Sequence, residues 1–483
     1  MVGKRDLGPC CVSLLAALGN RVILPGSSDF SDSLSGYYSQ QESTIQPQCI
    51  VRPESTAEVS SALKTLSRVS KNLTRSADKA QCRVAVRSGG HGINAGAANI
   101  QNGVTIDLSY LNSTTVSNKK VASIGVGAAW DQVYAQLDPI GLSVAGGRNA
   151  GVGVGGLTTG GGISFFSPRY GWTCDTVVNY EVVLADGSIV NANERTNPDL
   201  LFALRGGSNN FGVVTRVDLQ AFDQGKLWGG MSYYDLSTID AHVDAFVNFA
   251  AADNYDDFSS LVFTYVLFNG QPPLLATALE YTKPEENPPS ARPITSIPAI
   301  LSTLRVASMA ELAVELAALQ PYGLRQLYVQ VTHKATAPMI RATYDRWRES
   351  VPGVQDVPGI AFALSLEPLP PSIFARAAGG NALGLETRSE SLVVSLLTVT
   401  WADAADDARV TAAARTLIDN IASDARRLGA YDPFVYLNYA APWQKPVDSY
   451  GSKNVARLRK IQRAYDPTGF FTKNVPGGFK IPA

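Results

Sequence analysis

Two hydrophobic periods alternate along the first 220 or so residues. Short apolar runs predict strands: "QCIVRP" (48–53), "CRVAVRSGG" (82–90), "GVTIDLSYL" (103–111) and "VASIGVGAAW" (121–130). Between them, "STAEVSSALKTLSRVSKN" (55–72) opens with Ser/Thr capping residues and carries apolar side chains at helical spacing. "AWDQVYAQLDPIG" (129–141) reads as a helix ending at glycine, and "CCVSLLAAL" (10–18) as a first amphipathic helix. "TVVNYEVVLADGSIVNA" (176–192) predicts a hairpin turning at Asp186-Gly187. "NPDLLFALRGGSNNFGVVTRVDLQAF" (197–222) predicts a helix, a glycine turn and a strand.

After about residue 225 the pattern changes. "LWGGMSYYDL", "LVFTYVLF", "LLATALEYT", "LRQLYVQVTH", "IAFALSLEPL" and "SLVVSLLTVTW" predict long apolar strands. "DAHVDAFVNFAAA", "MIRATYDRWRES" and "VTAAARTLIDNIASDARRLG" predict the helices between them. Together they describe an antiparallel sheet with helices on one face, an α+β arrangement. His242 falls in the first of these helices and is expected on the surface.

A chain of 483 residues exceeds one ordinary core, so two large lobes are expected. With 45% hydrophobic and 17% charged residues the composition is that of a globular protein. A net charge of −1 gives no reason to expect nucleic acid or an anionic membrane as partner, and no apolar run reaches membrane-spanning length. The five cysteines, Cys10, Cys11, Cys49, Cys82 and Cys174, lack metal-ligand spacing, so no metal site is expected. A bridge from Cys10 or Cys11 to Cys49 is one option in an oxidising compartment, the pairing being open. Asn72-Leu-Thr and Asn112-Ser-Thr are glycosylation sequons. Lys4 and Arg5 before the apolar stretch faintly resemble a secretion leader, but Asp6 interrupts the basic region. A secretory or secreted location is expected, with cytoplasmic and vesicular locations left open.

"GGRNAGVGVGGLTTGGG" (146–162) contains Gly151-x-Gly153-x-x-Gly156, a formal dinucleotide fingerprint. Gly160, Gly161 and Gly162 follow so closely that the long helix of a nicotinamide site is not expected. So many glycines let backbone approach a large planar or phosphorylated ligand, or another stretch of backbone. "VAVRSGGHG" (84–92) places His91, one of only three histidines, directly after two glycines.

These segments, with "TIDLS", "RYGWTCDTVVNYEVVLADG", "NPDLLFALRGGSNNFGVVT" and the tail "VYLNYA…YDPTGFF…VPGGFKI", fall in an order that resembles FAD-linked oxidases. The family is the vanillyl-alcohol oxidase/p-cresol methylhydroxylase superfamily, and more narrowly its berberine bridge enzyme-like branch with fungal members. The resemblance spans essentially the whole chain. It implies an α+β fold with a split FAD-binding domain, 1–222 plus 430–483. A substrate domain, 223–429, would roof the flavin with its antiparallel sheet.

The resemblance also implies roles. Arg87, Ser88, Gly89, Gly90 and Gly92 would form the loop around the FAD pyrophosphate, with His91 as covalent anchor on the flavin 8α-carbon. A neutral imidazole suits that attachment. Gly151, Val152, Gly153, Gly155, Gly156, Leu157 and Gly161, then Gly212, Val213 and Val214, would complete the cofactor site. Val152 and Val154 lie where relatives control oxygen access. Asn149 stands near where bicovalent relatives carry a cysteine, and Cys174 belongs to a later motif, so single attachment is expected. Tyr436-Leu437-Asn438-Tyr439 matches the family's Tyr-x-Asn-Tyr element. Tyr436 and Tyr439 would be the base pair, needing a pKa lowered from about 10. Asn438 would orient flavin or substrate. Strand alternation puts 436 and 438 on one face and turns 439 away unless the chain bends. Glu367, an acid in an apolar strand, is a further catalytic candidate expected to face the cavity. His333 and Trp401 could reach the cavity, although packing roles suit them better.

The expected activity is that of an FAD-dependent oxidase of secondary metabolism. Hydride would pass from a substrate C–H, as in an alcohol, to flavin N5, and O2 would be reduced to H2O2. Oligosaccharide oxidation and a redox-neutral or oxidative cyclase or isomerase on the same fold are the alternatives. Partners would be a small molecule and O2, the protein being a monomer or homodimer.

Overall fold

The computed structural model describes residues 7–73, 82–268, 270–377 and 380–482. Lys4, Arg5 and Asp6, part of the leader-like stretch, lie outside them. Among the described residues the main sheets have four, five and nine strands. In the first, Cys49–Val51 and Val84–Arg87 flank Val104–Asp107 in parallel. Helix Thr56–Leu73 joins the first two of these strands in sequence, burying Val59, Ala62, Leu63 and Leu66 at helical spacing, and Ser55 Oγ accepts the Glu58 N–H at its start. Helix Pro9–Leu18 packs on that helix and is stapled twice, Cys11 to Cys49 and Cys10 to Cys82. The second of these bonds is not among the pairings the sequence suggested. The five-stranded antiparallel sheet holds the Val177–Val183/Ile189–Ala192 hairpin, with Gly187 at φ +82° in its turn.

Strand parity organises the nine-stranded antiparallel sheet. In Ala361–Leu369, the residues Phe362, Leu364 and Leu366 point into an apolar core, whereas Ala361, Ala363, Ser365 and Glu367 line a cavity. Ser259–Phe268 repeats the division, with Phe263 and Tyr265 in the core and Val262, Thr264 and Val266 on the cavity. Helices Ile239–Ala250, Ala337–Ser350 and Asp407–Arg427 supply the other half of that core through Phe246, Trp347 and Leu417.

His242 is buried, contrary to expectation. Helical spacing aligns it with Phe246 and Phe249 on the inward face, where it stacks on Phe263, and its Nδ1 meets the Thr238 carbonyl at 3.0 Å. Burial lowers its pKa. His333 and Trp401 also belong to the packing. His333 is bonded to the Ser395 hydroxyl and the Lys334 carbonyl, and Trp401 donates to Asp407.

A second apolar cluster runs through residues from Cys10 to Leu227, takes in side chains between 307 and 313 and between 369 and 394, and continues from Phe434 to Ile481, so the C-terminal tail shares the core of the N-terminal half.

Candidate active site

The Tyr436–Tyr439 segment is not extended: Leu437–Tyr439 forms a 3-10 turn. The bend brings the Tyr436 and Tyr439 rings to 4.8 Å, edge to face. The Tyr436 hydroxyl accepts the Gly162 N–H and the Asn438 Nδ2–H, each at 2.9 Å, and Asn438 also donates to the Leu157 carbonyl at 3.0 Å. A Cβ at Gly160 would collide with the Asn438 amide, so this glycine is what lets the tail lie against the glycine stretch.

Tyr439 faces the nine-stranded sheet. Its hydroxyl donates to Glu367 at 3.1 Å, and Arg148 Nη2 donates to both Glu367 and the Tyr439 oxygen at 2.7 Å. Glu367 is therefore buried but paired. Burial opposes the charge on Arg148, yet Glu367 and Tyr439 outweigh it and hold the guanidinium pKa up. Neither tyrosine meets the requirement for a ready base. Burial pushes both upward, and for Tyr439 the charge of Glu367 adds to the effect.

The two glycine loops meet directly. A Cβ on Gly89 would lie 2.6 Å from the Gly153 Cα, and Ser88 Oγ bridges the loops by donating to the Val126 carbonyl and accepting the Gly155 N–H. For Gly89 and Gly153, then, close packing of backbone on backbone accounts for the residue. Gly156 differs, since a Cβ there would meet no atom within 4 Å. A short helix, Val154–Thr159, does form inside the fingerprint and stops at Gly160. Its first amides are satisfied by the Ala128 carbonyl and Ser88 Oγ.

A cavity of about 480 Å³ runs between these loops, the tail and the sheet. Its wall takes in residues 88–92, Val152, Gly153, Gly155, Gly156, Leu157, 212–214 and Asn438, along with Glu367, Tyr436 and Tyr439. Arg87, Gly151 and Gly161, expected as cofactor contacts, are not in that wall. The Arg87 guanidinium turns to the Gly36 carbonyl and the Tyr37 ring, Gly151 abuts the Tyr322 hydroxyl, and Gly161 sits under Tyr436 and Trp172. Val154 is likewise absent from it and packs in the core, so that of these two valines Val152 is the one on the cavity. The cavity, the open side of Gly156 and the glycine-rich loops fit a flavin dinucleotide.

His91 lies in this wall with its ring stacked on Tyr38, centroids 3.9 Å apart and planes 9° from parallel. Desolvation holds its pKa down to about 4, so the imidazole is neutral at pH 7. Asn149 donates to Gln320, and Cys174 is buried and unbridged.

Sequence reasoning missed three groups here. Arg148 stood in the quoted "GGRNAG", where a cation within a glycine loop was the available signal. Tyr38 carried no local signal. Glu280, on the same strand side as Ala276 and Ala278, is fully buried with Oε2 unpartnered; burial raises its pKa well above the carboxylate range, although Arg148 opposes the shift.

Comparison with known proteins agrees with this architecture. A family model described as FAD binding domain matches residues 47–193, and one described as berberine and berberine-like matches residues 435–476. The FAD-dependent monooxygenase sdcF of Emericella nidulans is 37% identical over 482 residues, 98% of each chain. A protein of Diaporthe leptostromiformis named oligopeptidase PhomG' is 42% identical over 475 residues, 97% of this chain but only 37% of that longer protein. Glucooligosaccharide oxidase of Acremonium strictum, a structure described with 6-S-cysteinyl, 8α-N1-histidyl FAD, superposes with a TM-score of 0.77 at 18% identity, covering 98% of each chain. Fold and matches define an FAD-dependent oxidoreductase. Within that class, the chain belongs to the berberine bridge enzyme-like family.

Proposed function

We propose that the enzyme is an oxidase with FAD joined covalently to His91 alone, acting on an apolar, ring-rich alcohol of secondary metabolism. The observation that carries this reading is the Tyr439–Glu367–Arg148 cluster opening onto the cavity under the sheet. When bound, FAD supplies a hydride acceptor at N5 and a two-electron route to dioxygen. Backbone of residues 88–92, 152–153, 155–157 and 212–214 would hold the cofactor. A substrate hydroxyl gives its proton to the Tyr439 oxygen, whose own proton moves to Glu367 as hydride leaves the carbon. Arg148 fixes both acceptors in place. We take 1–222 with 430–483 as the cofactor domain and 223–429 as the substrate domain.

The roof supports the substrate class. Val262, Val266, Ala276, Ala278, Ala361 and Ala363 are small and apolar, and the Thr264 and Ser365 hydroxyls bond each other at 2.9 Å. Such a surface rewards buried hydrocarbon more than the hydroxyls of a sugar chain. Two disulfides suit an oxidising, secretory environment. No described helix is long and apolar enough to cross a membrane.

The name of the sdcF relative supports a second reading, in which one atom of O2 enters the product. Turnover under ¹⁸O2, with oxygen uptake and H2O2 measured together, separates the readings. One H2O2 per product without label supports the oxidase. Labelled product with NADPH consumption supports the monooxygenase, and product without oxygen uptake supports a redox-neutral cyclase.

A further inference from the structure

Two adjacent tyrosines that the proposed chemistry does not use straddle the His91 loop. Tyr37 lies under the Arg87 guanidinium, 4.2 Å from ring centroid to carbon, and its hydroxyl donates to the Ala98 carbonyl at 2.9 Å. The Tyr38 N–H donates to the Gly90 carbonyl at 3.0 Å, and the Tyr38 carbonyl accepts the Gly323 N–H at 3.2 Å. The Tyr38 backbone is thereby tied on one side to the residue before His91 and on the other to the turn carrying Tyr322. Its ring packs with Tyr328 and Ile93 in one buried cluster, and Tyr322 meets both the Tyr38 and His91 rings edge-on at 5.2 and 6.0 Å. Tyr38 is 1% exposed.

We infer that Tyr38 is a positioning residue for cofactor attachment, its ring setting the plane of the His91 imidazole. The inference rests on the covalent reading of His91 given above. The lone pair of a neutral imidazole nitrogen lies in the ring plane, so the direction in which that nitrogen can form a bond is fixed once the plane is fixed. A parallel ring at 3.9 Å, itself held by its backbone bonds and by packing in a buried cluster, resists rotation of the imidazole about its Cβ–Cγ bond. Tyr322 stands edge-on to the pair and limits sliding of one ring over the other. The cost of an unguided approach is thus met in the folded protein before the cofactor arrives.

The attachment balances as follows. A bond forms between the His91 nitrogen and the 8α-carbon, and the imidazole N–H and one methyl C–H are lost. The two hydrogens and two electrons remain on the isoalloxazine, which is thereby reduced. Dioxygen then removes them as H2O2.

The test compares wild type with Tyr38→Phe, which keeps a flat ring, and Tyr38→Leu, which keeps apolar bulk without one. Protein produced under riboflavin limitation is mixed with FAD, and the covalent fraction is followed in time by flavin fluorescence in denaturing gels. Thermal melts and total flavin bound are measured alongside. Tyr38→Phe should attach FAD at nearly the wild-type rate, and Tyr38→Leu about tenfold more slowly with similar total flavin bound. Equal rates for all three proteins, or equally slow rates for both variants, would overturn the role of Tyr38. A wild-type protein that never holds flavin through denaturation, with flavin bound in the native state, would instead remove the covalent reading and this inference with it.

Discussion

Tyr439 donates its hydroxyl proton to Glu367 at 3.1 Å while one Arg148 nitrogen sits 2.7 Å from each of them. A tyrosine pushed upward in pKa by burial and by an adjacent carboxylate makes a poor base by itself but a good proton conductor. Glu367→Gln should therefore lower kcat by about a hundredfold or more while flavin binding persists. Glu280→Gln should leave kcat within a few-fold, because burial disfavours the charged form of that acid and the amide that replaces it is neutral as well. Steady-state kinetics of the two variants tests the contrast, and equal losses would refute it.

The same cluster makes a stability prediction. Arg148→Leu strands a buried carboxylate and should cost about 3–5 kcal/mol. Adding Glu367→Leu should recover part of that loss, since no charge is then left unpaired. Chemical denaturation of both variants measures the effect.

Glycine substitutions should separate folding from flavin binding. Gly153→Ala drives a methyl into the Gly89 backbone and should destabilise the fold. Gly156→Ala meets no atom within 4 Å and lies in a helix, so its melting temperature should hold or rise. Its methyl enters the space assigned to cofactor, and the purified protein should carry less flavin. A colourless but stable Gly156→Ala protein is the expected result.

Two buried groups give opposite pH dependences. His333 titrates near 6.5 when unfolded and near 4 when folded, because burial disfavours its charge. The stability it allows is complete above pH 6.5 and is lost as pH falls through 4, up to about 3 kcal/mol. Burial raises Glu42 to about 7, against the pull of the backbone amides of the 96–99 loop, so its contribution is complete below about 4.5 and is lost as pH rises through 7. Urea melts between pH 4 and 8 should show His333→Gln flattening the acid side and Glu42→Gln flattening the neutral side.

Reduction should unstaple the first helix. The two bonds close stretches of 72 and 38 residues, and losing either should cost about 2–4 kcal/mol, the longer closure costing more. Cys10→Ala/Cys82→Ala and Cys11→Ala/Cys49→Ala, compared by thermal melting, check the order.

Much of the scaffold was legible because it rests on local periodicity. The long strands of the roof and their covering helices follow from residues two to four positions apart. His242 was misjudged although the same periodicity, continued to Phe246 and Phe249, pointed inward. The cluster around Glu367 could not be read this way. Arg148 meets Glu367 across 219 positions and Tyr439 across 291, and no window of sequence holds such a pair. The 3-10 turn at Leu437–Tyr439 was also hidden, since its bend is held by Asn438 reaching the glycine stretch. Tyr38 is the clearest case, a tyrosine whose meaning depends on the ring it faces.

The parity of the roof strands has a consequence for how such an enzyme diversifies. Positions 262, 264 and 266, or 361, 363 and 365, can change in size or polarity while Phe263, Phe362 and Leu364 go on packing against the helices behind. On the function proposed above, what the enzyme accepts and what keeps it folded are written on opposite sides of one sheet. A lineage can therefore trade one substrate for another by single steps, each tolerated by the scaffold.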